Sequence, residues 1–182
     1  MPFLVRKITR AKWDVSDEVG PINADAITQC LKTKDNTLSF WRVDTEENVV
    51  DGVLAIVASN DNLDKIDVVV LDEALLEGQS ILIDSTPGRT ACSELVDSHR
   101  DLAKLNVASL AVVSEAIAEQ IRKGNTHRYT LTKLRALVLE AIEAGRINVE
   151  ALSDGVKRKV LPQPPPMVVA PQSCPSCGAA IA

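Results

Sequence analysis

The chain has 182 residues, is 46% apolar and 25% charged, carries a formal net charge of −5 and has a mean hydropathy of +0.05. That composition belongs to a globular protein, excludes a mostly disordered chain, and closes a core without disulfides or metal. Aromatic residues amount to 3%, too few to build stacking platforms for single-stranded nucleic acid.

Residues 3–10 read as a strand, with Phe3, Val5 and Ile8 distributed over its two faces. Residues 24–31 carry Ala26, Ile27, Cys30 and Leu31 at helical spacing, and Lys34-Asp35-Asn36 is turn chemistry. Residues 37–43 alternate as a strand. Asp44 or Thr45 can cap a helix that opens on Glu46 and Glu47, acids suited to its N-terminal dipole, and stops at Ser59-Asn60-Asp61-Asn62. Residues 66–71 are nearly all β-branched, as in a central strand. A turn or short helix at 74–78, a second buried strand at 80–84 and a loop at 85–89 follow. Strands alternating with helices predict an α/β layer with a mixed or partly parallel sheet.

After Arg89 the strand signal stops. Helical spacing runs through 91–105, 107–123, 131–144 and 149–160, with Thr90, Thr130 or Thr132, and Asn148 as caps and Gly145 at a C-terminal glycine position. The expected organisation is an α/β domain at 1–89, a helical segment at 90–160 packed on it, a proline-rich linker at 161–173 and a tail at 174–182. The linker holds five prolines and no charge, the composition of an extended polyproline spacer.

The tail carries Cys174-Pro175-Ser176-Cys177-Gly178. Two thiolates separated by two residues can reach one tetrahedral ion, and the proline and glycine favour the tight turn this requires. The segment resembles one knuckle of a zinc ribbon. Cys174 and Cys177 are therefore the candidate metal ligands, and zinc is the candidate cofactor. A four-ligand site needs a second knuckle, supplied by another copy of the chain or by a different protein, or else the tail stays unmetallated. Cys30 and Cys92 are remote singles with core-type neighbours, a poor disulfide framework that suits a reducing cytoplasm.

Charge is unevenly spread. Residues 44–101 carry fourteen Asp or Glu against three Lys or Arg, while both flanks are mildly basic. This is either complementarity within the fold or an acidic docking surface for a basic partner, and it repels a phosphate backbone. The loop Ser85-Thr86-Pro87-Gly88-Arg89-Thr90 joins a strand to a predicted helix, where α/β proteins hold anions. Arg89 and Thr90 are candidates for a phosphate, and Asp84 or Asp72 for a metal ion, yet no phosphate-loop or dinucleotide fingerprint is present. The run His99-Arg100-Asp101 imitates a kinase catalytic loop but falls within a predicted helix, as solvated residues. His127 reads as a solvent-facing loop residue. Trp13 and Trp41 read as core closures.

These features point to a non-catalytic, protein-binding accessory or regulatory subunit of a cytosolic complex. Zinc-assisted oligomerisation through the tail is one device; an acidic binder of the immunity or antitoxin kind is another. The partner is then another protein or a second copy of this chain. No membrane partner is expected, because the longest apolar stretch, 107–113, is far short of a bilayer span. One alternative is a phosphoryl- or nucleotide-processing enzyme around Asp72, Asp84 and Arg89. Another is a nucleic-acid regulator using Arg122, Lys123, Arg128, Lys133 and Arg135 as a basic face, although nucleic acid is disfavoured by the acidic third.

Overall fold

Alternation along the first strand determines the architecture. Leu4 and Ile8 project to one side, Phe3 and Val5 to the other, and Leu4 and Val5 are both fully buried. A strand buried on both faces needs a layer above and a layer below. The computed structural model, which describes residues 1–13 and 22–162, supplies both layers.

Six strands, β1 (Phe3–Ile8), β2 (Leu38–Val43), β3 (Ile66–Asp72), β4 (Leu82–Ser85), β5 (His99–Ala103) and β6 (Thr126–Tyr129), form one sheet in the order β4-β5-β2-β1-β3-β6. The helices are α1 (Ala24–Cys30), α2 (Val49–Ser59), α3 (Glu73–Gly78), α4 (Val107–Arg122), α5 (Leu131–Glu143) and α6 (Asp154–Val160). On one face, Val5, Trp41, Val43, Val68 and Val70 pack against α2, α5 and α6. On the other, Leu4, Phe40, Val69, Leu71 and Leu102 pack against α1, α3 and α4. Trp41 and Trp13 close these two cores, one each. Gly52 lets α2 rest directly on β1: a Cβ there would sit 2.8 Å from the Cβ of Val5.

Every strand pair in the sheet is antiparallel, which corrects the expectation of a partly parallel sheet. The alternation of strand and helix was genuine. β2 and β3, joined through α2, do run in the same direction, but β1 lies between them and pairs with both. The same holds for β5 and β6, joined through α4 and placed on opposite sides of the sheet's centre. Sequence alternation reports direction; interleaving decides which strands share hydrogen bonds.

Four segments differ from their prediction. Residues 91–105 are not one helix: a 3₁₀ stretch, Ser93–Ser98, leads into β5. The spacing of Leu95, Leu102 and Leu105 fits a helix, but β5 fills the gap between β2 and β4, and strand pairing overrides that local period. β6 occupies residues predicted as loop, so residues 90–160 are not purely helical and contribute two strands to the sheet. Residues 149–160 split into a 3₁₀ turn, Val149–Ala151, and α6, whose cap is Ser153. β4 is an edge strand with Leu82 43% exposed, where a buried strand was expected.

The antiparallel register also sorts the loops into two sets. At one end of the sheet lie the end of β2 with the start of α2, the β3–α3 junction and the long β4–β5 loop. At the opposite end lie the end of β1, the turn before β2 and the loop between α2 and β3.

Candidate functional site

Six acids of the acidic third gather at the first of these two ends, while Asp61 and Asp64, between α2 and β3, lie at the other. Asp44 follows β2, Glu46 and Glu47 lie in the turn leading into α2, Asp51 is in the first turn of α2, and Glu94 and Asp97 are on the β4–β5 loop. Asp44, Glu46, Glu47, Glu94 and Asp97 are exposed. Asp44, Asp51, Glu94 and Asp97 line one hollow of about 320 Å³, together with the two guanidiniums of Arg42 and Arg100.

Arginines hold this end together. Arg42 bonds Glu73 at 2.9 Å and Asp44 at 3.1 Å, linking the end of β2 to the first residue of α3. Glu73 is 8% exposed, so its charge has its partner inside the protein. Arg146 bonds Asp51 at 2.7 Å and also Glu94, fastening the β4–β5 loop to α2 from the segment after α5. The two carboxylates raise the Arg146 guanidinium further above its already high range. Beneath them the Cys92 thiol is pushed up, first by burial and second by Glu94. The arginines thus lock the frame, and the carboxylates of Asp97, Glu46 and Glu47 remain turned to solvent as a surplus of negative charge.

A polar chain lies on the α2 face beside this end. Ser39 Oγ donates to Asp101 Oδ1 at 2.8 Å, Thr86 Oγ1 donates to Asp101 Oδ2 at 2.8 Å, and His99 Nδ1 lies 2.8 Å from Thr86 Oγ1. The single Thr86 proton goes to the carboxylate, so Nδ1–H of His99 must donate to the Thr86 oxygen. His99 therefore cannot accept the hydroxyl proton, and the set lacks the hydroxyl–imidazole–carboxylate order of a nucleophilic relay despite its residue types. Its work is structural: His99 meets the Trp41 ring edge-on at 5.0 Å, and Gly88 packs where any Cβ would collide with Trp41 and His99. His99 and Asp101 are thus partly buried strand residues, where solvated helix residues were expected.

The sequence-predicted strand-end residues do not meet. Asp72 terminates β3 and caps α3 by accepting from the Ala74 amide at 2.9 Å. Asp84 lies in β4 opposite Asp101, with β5, β2 and β1 separating β4 from β3, a distance on the order of 19 Å at ordinary strand spacing. Thr90 spends its hydroxyl inside the fold, donating to Ala55 O at 3.2 Å and accepting from the Cys92 amide at 3.3 Å. It caps no α-helix and presents no free hydroxyl beside exposed Arg89. The five basic residues form no single face either. Arg122 and Lys123 end α4 on one side of the sheet, while Lys133 and Arg135 lie on α5 on the other. Arg122, Lys123 and Arg128 are paired with Glu115, Glu119 and Asp67. His127 is in β6, its Nε2 buried without a partner among the described residues, rather than in an open loop.

Cys30 and Cys92 are free and buried in different cores. Among the described residues no group of three or more His, Cys, Asp or Glu side chains is placed to hold a metal ion. Cys174 and Cys177 lie outside the described residues. No helix among the described residues is long and apolar enough to cross a membrane. No family model, curated protein or solved structure matches the chain.

The excess of acids over 44–101 was legible, with Glu46 and Glu47 read as helix-start acids. Glu94 and Asp97 joined them only because β5 reverses the chain, and Arg146 is remote in sequence from both carboxylates it bridges.

Proposed function

We propose that the chain is a non-catalytic binding subunit that docks a basic surface of another protein at the acidic end of its sheet. The observation that carries this reading is the hollow where Asp44, Asp51, Glu94 and Asp97 converge on a frame already locked by Arg42 and Arg146. A rigid patch with surplus negative charge accelerates encounter with a cationic partner and rejects polyanions. The Cys174–Cys177 knuckle is the second element of the proposal: on a proline-rich spacer it reaches another chain and shares one zinc ion with it.

The acidic end is tested with a ten-residue polylysine peptide as the probe. Saturable binding that weakens steeply with salt, and about tenfold or more on combining Asp44→Lys, Glu46→Lys and Glu47→Lys, is expected. All three positions are exposed, and Arg42 keeps its second carboxylate, Glu73, when Asp44 is changed. Equal affinity for the triple variant overturns the reading. For the tail, native mass spectrometry with and without chelator should show zinc-bridged chains that fall apart on Cys174→Ser; a zinc-free monomer removes that element.

A further inference from the structure

At the other end the sheet opens. The β1–β2 ladder stops at Val5↔Trp41, although β1 continues pairing with β3 as far as Ile8↔Asp67 and β2 continues with β5 as far as Leu38↔Leu102. Arg6 fills the split. Its Nε and one terminal nitrogen donate to Cys30 O at 3.1 and 2.7 Å, the other terminal nitrogen donates to Ser39 O, and the guanidinium stacks 5.3 Å from the Phe40 ring centroid.

Those carbonyls take three of the five N–H groups that a guanidinium carries. Among the described residues no carboxylate lies within ion-pair distance of Arg6, in contrast to Arg42 and Arg146. Burial pushes the group down to about 10, still charged at neutral pH. Beside it is a cavity of about 440 Å³, lined among others by Lys7, Gln29, Ser39, Ser59 and Asn60, with no acid among the described residues of its wall. That volume lies within the range of small-molecule sites. Lys7 is exposed, and Asp64, whose carboxyl feels its charge weakly, is already bonded to Lys159 at 2.7 Å.

We infer that the cleft between β1 and β2 is a binding site for a small molecule bearing an oxyanion, phosphate or carboxylate, held by Arg6 and Lys7. A cation drawn into a partly closed cavity without a counter-charge is stabilised by an anion that takes its remaining N–H groups, and charge-assisted bonds of this kind are about twice as strong as neutral ones. The neutral donors Gln29 and Asn60 supply further bonds without adding repulsion. This site is separate from the acidic end and stands whether or not that end docks a protein.

The test is calorimetric titration of the whole chain, in a buffer free of phosphate and carboxylate, with inorganic phosphate, adenosine monophosphate and benzoate in turn. At least one probe should bind at one site per chain with submillimolar affinity, and which one binds distinguishes phosphate from carboxylate. Lys7→Ala and Arg6→Lys should each weaken it about tenfold or more, with Lys34→Ala, exposed on the loop before β2, leaving it unchanged. Lys7 is a surface residue, so its variant keeps the test decisive if Arg6→Lys fails to fold. Absence of saturable binding by all three probes overturns the inference. So does binding that ignores Lys7→Ala, or that Lys34→Ala weakens equally.

Discussion

The two ends of the sheet treat arginine in opposite ways. At the acidic end Arg42 and Arg146 each join two carboxylates from different elements. At the other end Arg6 joins two carbonyls across a gap where a strand ladder has failed, with no carboxylate from the described residues beside it. The same side chain is a rivet in one place and a plug in the other. The difference teaches where each end keeps unspent interaction: surplus negative charge at the first, guanidinium donors without a partner among the described residues at the second.

Substitutions separate the two kinds of end. The largest effect is expected from Gly88→Ala, which forces a methyl against Trp41 and His99 and lifts the β4–β5 loop that carries Glu94 and Asp97. Overpacking of this kind costs about 3 kcal/mol, read as a lowered midpoint in urea unfolding; an unchanged midpoint means the loop is not clamped there. Arg146→Met should cost about 2 kcal/mol in the same assay, because it leaves Asp51 and Glu94 facing one another without their cation. Partial exposure of all three side chains keeps the figure from being larger. Arg6→Met should cost less, about 1 kcal/mol: the carbonyls of Cys30 and Ser39 lose their donors, but an uncompensated charge is removed as well. If Arg6→Met proves the costlier of the two, the contrast between the ends collapses.

The smallest effect concerns pH. The fold raises the Cys92 thiol above its unfolded range, mainly by burial. Its contribution to stability is complete below the unfolded thiol pKa, about 8.5, and is lost as pH rises through the higher folded value. Unfolding midpoints compared at pH 7 and pH 9.5 should fall more for the parent than for Cys92→Ala. Equal falls would place the thiol in a neutral setting and detach it from Glu94.

The sequence made much of the layer structure readable. β1, β2, β3, α2, α4 and α5 stand close to where apolar period and caps put them, since each has a long stretch of one period: the β-branched run in β3 and the stripe of Leu131, Leu134, Leu137, Val138 and Ile142 in α5, of which Leu134 and Val138 are buried. β5 and β6 were not readable. They are five and four residues long, carry His99, Arg100, Asp101, Thr126, His127 and Arg128, and are strands because neighbours offer them a ladder. The excess of acids over 44–101 was readable, but which of them share one hollow was not: Glu94 and Asp97 reach Asp44 and Asp51 only through the reversal into β5. Nothing local could mark Arg6, whose meaning depends on two strands parting beside it.

The central proposal is that the acids gathered at one end of the sheet dock a cationic partner. Backbone amide shifts recorded while the ten-residue polylysine peptide is added test it most directly. The account predicts movements concentrated in residues 44–51 and 94–98, with the segments around Lys7, Lys32 and Lys65 still. Shifts spread evenly over the molecule, or concentrated where β1 and β2 part, would contradict it.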